Sequence, residues 1–181
     1  MNIITEIKRI KKLMQLNEEA FDNVIIRPYK GEKDFDVIFT RLPEVYKMIN
    51  WPAQAIWDEI SPVDEQLSII MEVNGKVGGF YFLREESIPE GGNKEAYETL
   101  KNLKGVEGVA LGVFDEYKNL GLGRTLINYP STMGYDYVWG YQLKSLENID
   151  NWLKRRKLYA ETNDLYITYE IFNSNEQSNQ N

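Results

Sequence analysis

The sequence predicts an α/β (α+β) chain, with strands of mixed direction in one sheet and helices packed on it. Three observations predict it. Short apolar runs of strand length recur between Val24 and Phe172, and segments with helical apolar spacing separate several of them. One pair of runs is joined by Asn74-Gly75, the dipeptide of a type I′ turn, so that pair is antiparallel. Later stretches alternate strand, helix and strand, which brings parallel neighbours into the same sheet.

Taken in order, Ile3 to Phe21 reads as a helix with Ile3, Ile7, Ile10 and Met14 on one stripe and a solvated basic face from Lys8, Arg9, Lys11 and Lys12. Val24 to Pro28 is a first strand, closed by a residue that cannot donate to a ladder. Asp34 to Asn50 is helical, interrupted at Pro43, and Pro52 to Ile60 is a second short helix with proline at a tolerated early position. Leu67 to Val73 and Lys76 to Leu83 form the hairpin, and Gly78-Gly79 marks a bulge or close backbone approach. Ile88 to Gly105 is an insertion with a loop at Pro89, Gly91 and Gly92 and a helix over Lys94 to Leu103. Val109 to Phe114 is a buried strand, Asp115 to Leu120 a polar turn, and Arg124 to Tyr129 a helix ended by Pro130 and Gly134. Tyr137 to Leu143 is a strand whose aromatics, Tyr137, Trp139 and Tyr141, suit sheet packing. Ser145 caps a helix over Leu146 to Lys157, in which the charge run Lys154 to Lys157 is mostly a solvated face. Asp164 to Phe172 alternates as a last strand.

Composition narrows the chemistry. At 181 residues, 43% hydrophobic and 27% charged, the chain fits one soluble domain. Its apolar runs are too short to span a membrane, and no apolar segment of signal-peptide type follows the start, so a cytoplasmic protein is expected. It has no cysteine, which excludes disulfides, thiolate zinc sites and a cysteine nucleophile. It has no histidine, which removes the commonest general base and metal ligand. Proton transfer therefore falls to Glu, Asp, Tyr, Lys or water, and no metal site is expected. A net charge of −7 disfavours nucleic acid and suits a cationic or amine-bearing partner.

The most informative stretch is Leu111 to Ile127. A strand feeds a turn with Gly121 and Gly123, which feeds a helix. Such glycines let backbone approach a ligand, and the unpaired N–H groups of the helix's first turn, with its dipole, favour an anion. The spacing is not that of a P-loop, which needs Lys and Ser/Thr directly after its second glycine. It is not the three-glycine dinucleotide fingerprint either.

Lys118-Asn-Leu-Gly121-Leu-Gly123 resembles the acetyl-CoA signature of the GNAT superfamily of N-acetyltransferases: Arg or Gln, two residues, Gly, one residue, then Gly or Ala. Lys replaces Arg or Gln here. Val113, Tyr117 and the order of elements over Val24 to Phe172 are similar too. The resemblance implies a GNAT-like, mostly antiparallel central sheet flanked by helices over residues 23–172; outside it, periodicity makes residues 1–22 a helix packed on the domain and the Asn/Gln/Ser-rich composition makes 173–181 a disordered tail. It implies acetyl-CoA as cosubstrate. The backbone amides of Asn119, Leu120, Gly121, Leu122, Gly123 and Arg124 would cradle the pyrophosphate, Lys118 and Arg124 would add charge, and Leu111 and Val113 would bond the pantetheine arm through their backbone. Asn148 matches the family's cofactor-contacting asparagine.

In the histone-acetylating branch a glutamate occupies the offset of Glu107, which makes Glu107 the candidate base; the alternative is an exposed strand-edge carboxylate. The family's tyrosine, seven residues after the asparagine, is Arg155 here, and Tyr159-Ala160 stands where Gly-Phe usually follows. Tyr159 in a shifted register is the candidate acid, and Arg155 as a thiolate-stabilising cation is the alternative. The implied function is acetyl transfer by direct attack of a primary amine, from a small molecule or peptide, with room for a homodimer. Two rivals stay open: a CoA-binding protein without catalysis, and a nucleobase-modifying member of the superfamily.

Overall fold

The computed structural model describes residues 23–145 and 153–172. The expected N-terminal helix, Asn148 and the tail lie outside these residues. Seven strands form one sheet: β1 (Val24–Pro28), β2 (Ile69–Val73), β3 (Lys76–Arg84), β4 (Gly105–Val113), β5 (Tyr137–Leu143), β6 (Lys157–Glu161) and β7 (Leu165–Ile171), in the order β1-β2-β3-β4-β5-β7-β6. Every pairing is antiparallel except β4 with β5. The helices are α1 (Glu32–Val45), α2 (Ala53–Ile60), α3 (Lys94–Leu100) and α4 (Leu122–Thr132). The mixed, mostly antiparallel sheet flanked by helices is the expected fold class.

The sheet is covered on both faces. Ile38 and Leu42 of α1 and Ile56 and Ile60 of α2 pack on Phe80, Phe82 and Ala110. Leu126 of α4 packs on Tyr81, Leu83, Val106 and Val138 across the opposite face. The central strand β3 therefore reads as an almost unbroken apolar run, because both of its faces are buried. A third cluster joins Ile88 and Leu100 of the insertion to Tyr137, Trp139 and Tyr159. Asn93 caps α3 by accepting a hydrogen bond from the Ala96 N–H.

One charged clamp fixes α1 to the sheet. The Arg27 guanidinium donates two hydrogen bonds of 2.7 Å to the Asp34 carboxylate and one of 2.6 Å to Glu72. Burial would raise the Asp34 carboxyl, but Arg27 and the Lys30 N–H, 2.8 Å away, bring it below its ordinary range.

Four elements depart from expectation. Strand β4 begins at Gly105, four residues before the apolar run, because Glu107 is buried as a strand residue. Helix α1 passes through Pro43 and ends two residues later, and α4 likewise contains Pro130 in its last turn, so each proline forfeits one ladder bond and the helix stops soon after it. Lys157 begins β6 instead of closing a helix: Leu158 and Ala160 pair with β7 at the edge of the sheet, with Tyr159 between them at a register shift, and tertiary pairing outweighs the local charge pattern. Within that charge run Arg156 is buried. Its guanidinium donates to the Val138 carbonyl and to the Thr168 hydroxyl, tying β5 to β7. The glycine pair did mark a bulge. Met71 faces Gly79 and Glu72 faces Val77, which leaves Gly78 unopposed.

Candidate active site

The site begins where two strands part. β4 and β5 pair only from Gly105 to Glu107 and from Tyr137 to Trp139. Beyond that, β4 stays with β3 as far as Val113, while β5 follows β7 as far as Leu143. Glycines occupy the fork. A side chain on Gly140 would run into the Gly108 carbonyl, and one on Gly108 would meet the Tyr81 hydroxyl. Val109 is an extra residue on β4, since Gly108 faces Leu83 and Ala110 faces Phe82. A bulge of this kind bends the strand and sharpens its departure from β5. Past the fork, one backbone edge of β4 has no strand beside it among the described residues. Leu111 and Val113 lie on this segment, and the Leu111 carbonyl accepts a long 3.4 Å hydrogen bond from the Tyr46 hydroxyl.

β4 leads through Asp115–Tyr117, a single 3-10 turn, to the glycine turn. Asn119 adopts φ 64° and Gly121 φ 80°. Gly121 is the residue before α4, and no side chain caps that helix. The left-handed backbone, with open space where a Cβ would stand, gives glycine a physical reason to be there. The uncapped first turn leaves N–H groups of Leu122 and Gly123 for an external acceptor. The two cations of the turn are already engaged. Lys118 is paired with Asp115, and Arg124 lies across the Glu170 carboxylate of β7. An anion here would be met first by backbone.

Glu107 sits at the root of the fork and is 4% exposed. Arg84, directly opposite on β3, donates to its Oε2 at 3.1 Å. Burial pushes the Glu107 carboxyl up to about 7, Arg84 opposes this, and a hydrogen bond to the Glu86 carboxyl adds to it. The exposed-edge alternative does not hold: the carboxyl is enclosed. Tyr141 lies on the β5 side of the opening, 46% exposed, with its ring 5.6 Å from that of Trp139. Burial and the charges of Glu107 and Glu86 raise its hydroxyl above the ordinary tyrosine value, so it is protonated at neutral pH.

The structure thus brings Glu107, Leu111 and Val113 to one fork, and Lys118 to Arg124 to the turn that follows it. Tyr159 goes elsewhere. It stands in edge strand β6, packs against Gly92, and donates its hydroxyl to the Pro89 carbonyl in the insertion. Arg155 is exposed on the turn before β6. Sequence reading missed Arg84, Glu86 and Tyr141. Strand alternation puts Arg84 on the face of Phe82, but its meeting with Glu107 depends on the unforeseen bulge at Val109. Tyr141 was read as sheet packing because the fork that exposes it is a tertiary feature.

No protein-family model matches the sequence, and no curated protein is similar enough to count as a relative. Solved structures do resemble the fold. A GNAT-family acetyltransferase from Streptococcus agalactiae aligns at 12% identity and TM-score 0.59, covering 85% of this chain and 98% of the other. The PaiA N-acetyltransferase of Thermoplasma acidophilum, solved with coenzyme A, aligns at 13% identity and TM-score 0.56, covering 83% and 99%. The ribosomal-protein-S18-alanine N-acetyltransferase of Escherichia coli aligns at 14% identity and TM-score 0.53, covering 84% and 98%. Among the described residues no helix is long and apolar enough to cross a membrane. With a forked β4/β5 pair, a glycine turn opening the next helix and these structural neighbours, the chain has the fold of the GNAT acetyltransferases.

Proposed function

We propose that the chain is an acetyl-CoA-dependent N-acyltransferase that acetylates a primary amine by direct attack. The observation that carries this reading is the position of Glu107: a buried carboxyl held near neutrality at the root of the fork, on the strand that leads into the uncapped glycine turn. The neighbouring fold found with coenzyme A supports the choice of donor.

In this reading the amides of Asn119 to Arg124 hold the pyrophosphate, and the backbone of Leu111 and Val113 orients the pantetheine. Asn148 is proposed as a further cofactor contact. Acetyl-CoA supplies the acetyl group as a thioester. Glu107 takes the proton of the acceptor ammonium, directly or through one water, which frees the nitrogen lone pair. A C–N bond forms as the C–S bond breaks, and a backbone N–H of β4 near Leu111 to Val113 meets the developing oxyanion. Tyr141, protonated and at the opening, gives its proton to the departing thiolate and regains one, through solvent, as the newly acylated nitrogen sheds its extra proton. It takes the acid role for which Tyr159, in a shifted register, is the candidate from sequence, since the Tyr159 hydroxyl is committed to Pro89. Arg84 holds the Glu107 carboxylate in place once it is charged.

Steady-state kinetics on Glu107→Gln test the assignment. We expect kcat to fall by about 100-fold or more with the acetyl-CoA KM nearly unchanged, the size usual for loss of a general base. The wild-type kcat/KM should rise with pH and level off above about 7 as Glu107 loses its proton. Unchanged turnover in the variant removes Glu107 as base. The engagement of Tyr159 also favours a second reading, a CoA-binding protein without turnover. Acetyl-CoA binding with no consumption against a panel of small-molecule and peptide amines would select it.

A further inference from the structure

A concavity of about 600 Å³ lies on the α1/α2 side of the sheet, away from the fork. Its walls are aromatic: Tyr29 after β1, Phe35 in α1 and Trp57 in α2. The rings of Phe35 and Trp57 are 4.9 Å apart and nearly perpendicular, at 82°. Buried Phe82 backs Trp57 at 5.7 Å and 85° and Tyr29 at 5.3 Å and 72° from below. Phe35, stacked on Phe39 at 5.0 Å, meets Trp57 edge to face, and both side chains are partly exposed; with Tyr29 they give the concavity an aromatic lining, which favours a cation carried on an apolar stem.

The charges around the corner have one sign. Glu32, Asp36 and Glu65 complete the lining, which among the described residues contains no basic side chain; Lys30 and Lys33, near in sequence, are not part of it. Among the described residues none of the three carboxylates is ion-paired. Gly31 opens α1 here, and that helix terminus alone would favour an anion. The Glu65 carboxylate lies against Gly31 and already sets a negative charge at that terminus, without a capping hydrogen bond. Glu32 and Asp36, both exposed, are left facing the concavity. A neutral ligand would gain nothing from them and an anion would be repelled, whereas a cation gains from rings and carboxylates together.

We propose that this concavity is a binding site for an alkylammonium group, separate from the acceptor position beside Glu107. The proposal does not depend on catalysis. It stands on the ring geometry, the lining charge and the volume, which exceeds that of one ammonium group and leaves room for the chain that carries it.

Calorimetric titration of the full chain with n-butylammonium, against n-pentanol as a neutral probe of similar size, tests it. We expect one saturable site for n-butylammonium and at least tenfold weaker binding of n-pentanol. Trp57→Leu should weaken n-butylammonium at least tenfold, and Glu107→Gln should leave it unchanged. Because Trp57 also packs on Phe82, the exposed double variant Glu32→Gln with Asp36→Asn carries the test independently of folding. It should weaken binding severalfold and flatten its salt dependence. Spermidine and Nα-acetyl-lysine amide separate the two sources of such a group, a free polyamine or a peptide side chain; the tighter of the two identifies the source and supports the site. Equal binding of both probes, no saturable binding, or a loss in Glu107→Gln without a loss in the Glu32/Asp36 variant overturns the proposal. So does a tenfold gain in n-butylammonium affinity when Lys8, Arg9, Lys11 and Lys12 are all replaced by Gln, which would make the chain's own basic segment the occupant.

Discussion

Glu107 is the base in the proposed reaction, and its environment makes a prediction apart from activity. Burial raises its carboxyl from an ordinary 4.5 to about 7 in the folded chain. A group whose folded value is raised favours folding while it is protonated. That contribution is complete below about pH 4.5 and is lost as pH climbs through about 7. Wild type and Glu107→Gln should therefore diverge with pH. Between pH 5 and pH 8.5 the difference in unfolding free energy should move in the variant's favour by about 2 kcal/mol, as the wild type comes to bury a charge that Gln lacks. Urea denaturation at the two pH values measures it, and a pH-independent difference would mean that the carboxyl is not held near neutrality. Glu107 was legible as a base candidate because no histidine competes and because it lies on the strand before the glycine turn. Its partners were not. Arg84 meets it only because a one-residue bulge sets the β3–β4 register, and cross-strand register cannot be read from one strand alone.

At the scale of elements, the strand, turn and helix from Gly105 to Thr132 carry the cofactor assignment. Their order was visible because the apolar period changes from strand to helix across Gly121 and Gly123. The expected charges of Lys118 and Arg124 are instead neutralised by Asp115 and Glu170, so the backbone of the turn has the larger part. Gly121→Ala isolates that part. At φ 80° an alanine costs roughly 1–2 kcal/mol of conformational strain, while the space around its Cβ is open. We expect the variant to remain folded and acetyl-CoA affinity to fall by about tenfold or more. Equal affinity would mean that the turn only connects β4 to α4. Strand β6 was the element most hidden. Lys154 to Lys157 has the composition of a helix end, yet Lys157 to Glu161 completes the sheet edge because Leu158 and Ala160 find partners on β7.

At the scale of the whole molecule, one sheet separates two kinds of surface. Its centre forks between β4 and β5, with Glu107 and Tyr141 at the opening and the glycine turn beyond. Its α1/α2 face carries the aromatic and acidic concavity on the far side of Phe82. The mixed sheet with helices on both faces followed from the hairpin and the later strand–helix–strand order, since both patterns are local. The fork did not, because it arises from two strands choosing different neighbours. The acceptor is the least constrained part, because the helices and insertion that surround the opening vary independently of the scaffold. In the proposed function the scaffold commits to one donor, acetyl-CoA. Thermal unfolding of the full chain with increasing acetyl-CoA tests that commitment most directly. The account predicts a midpoint that rises with concentration as RT ln(1 + [L]/Kd) requires, with Gly121→Ala needing about tenfold more ligand for the same rise; a midpoint unmoved at millimolar acetyl-CoA would contradict it.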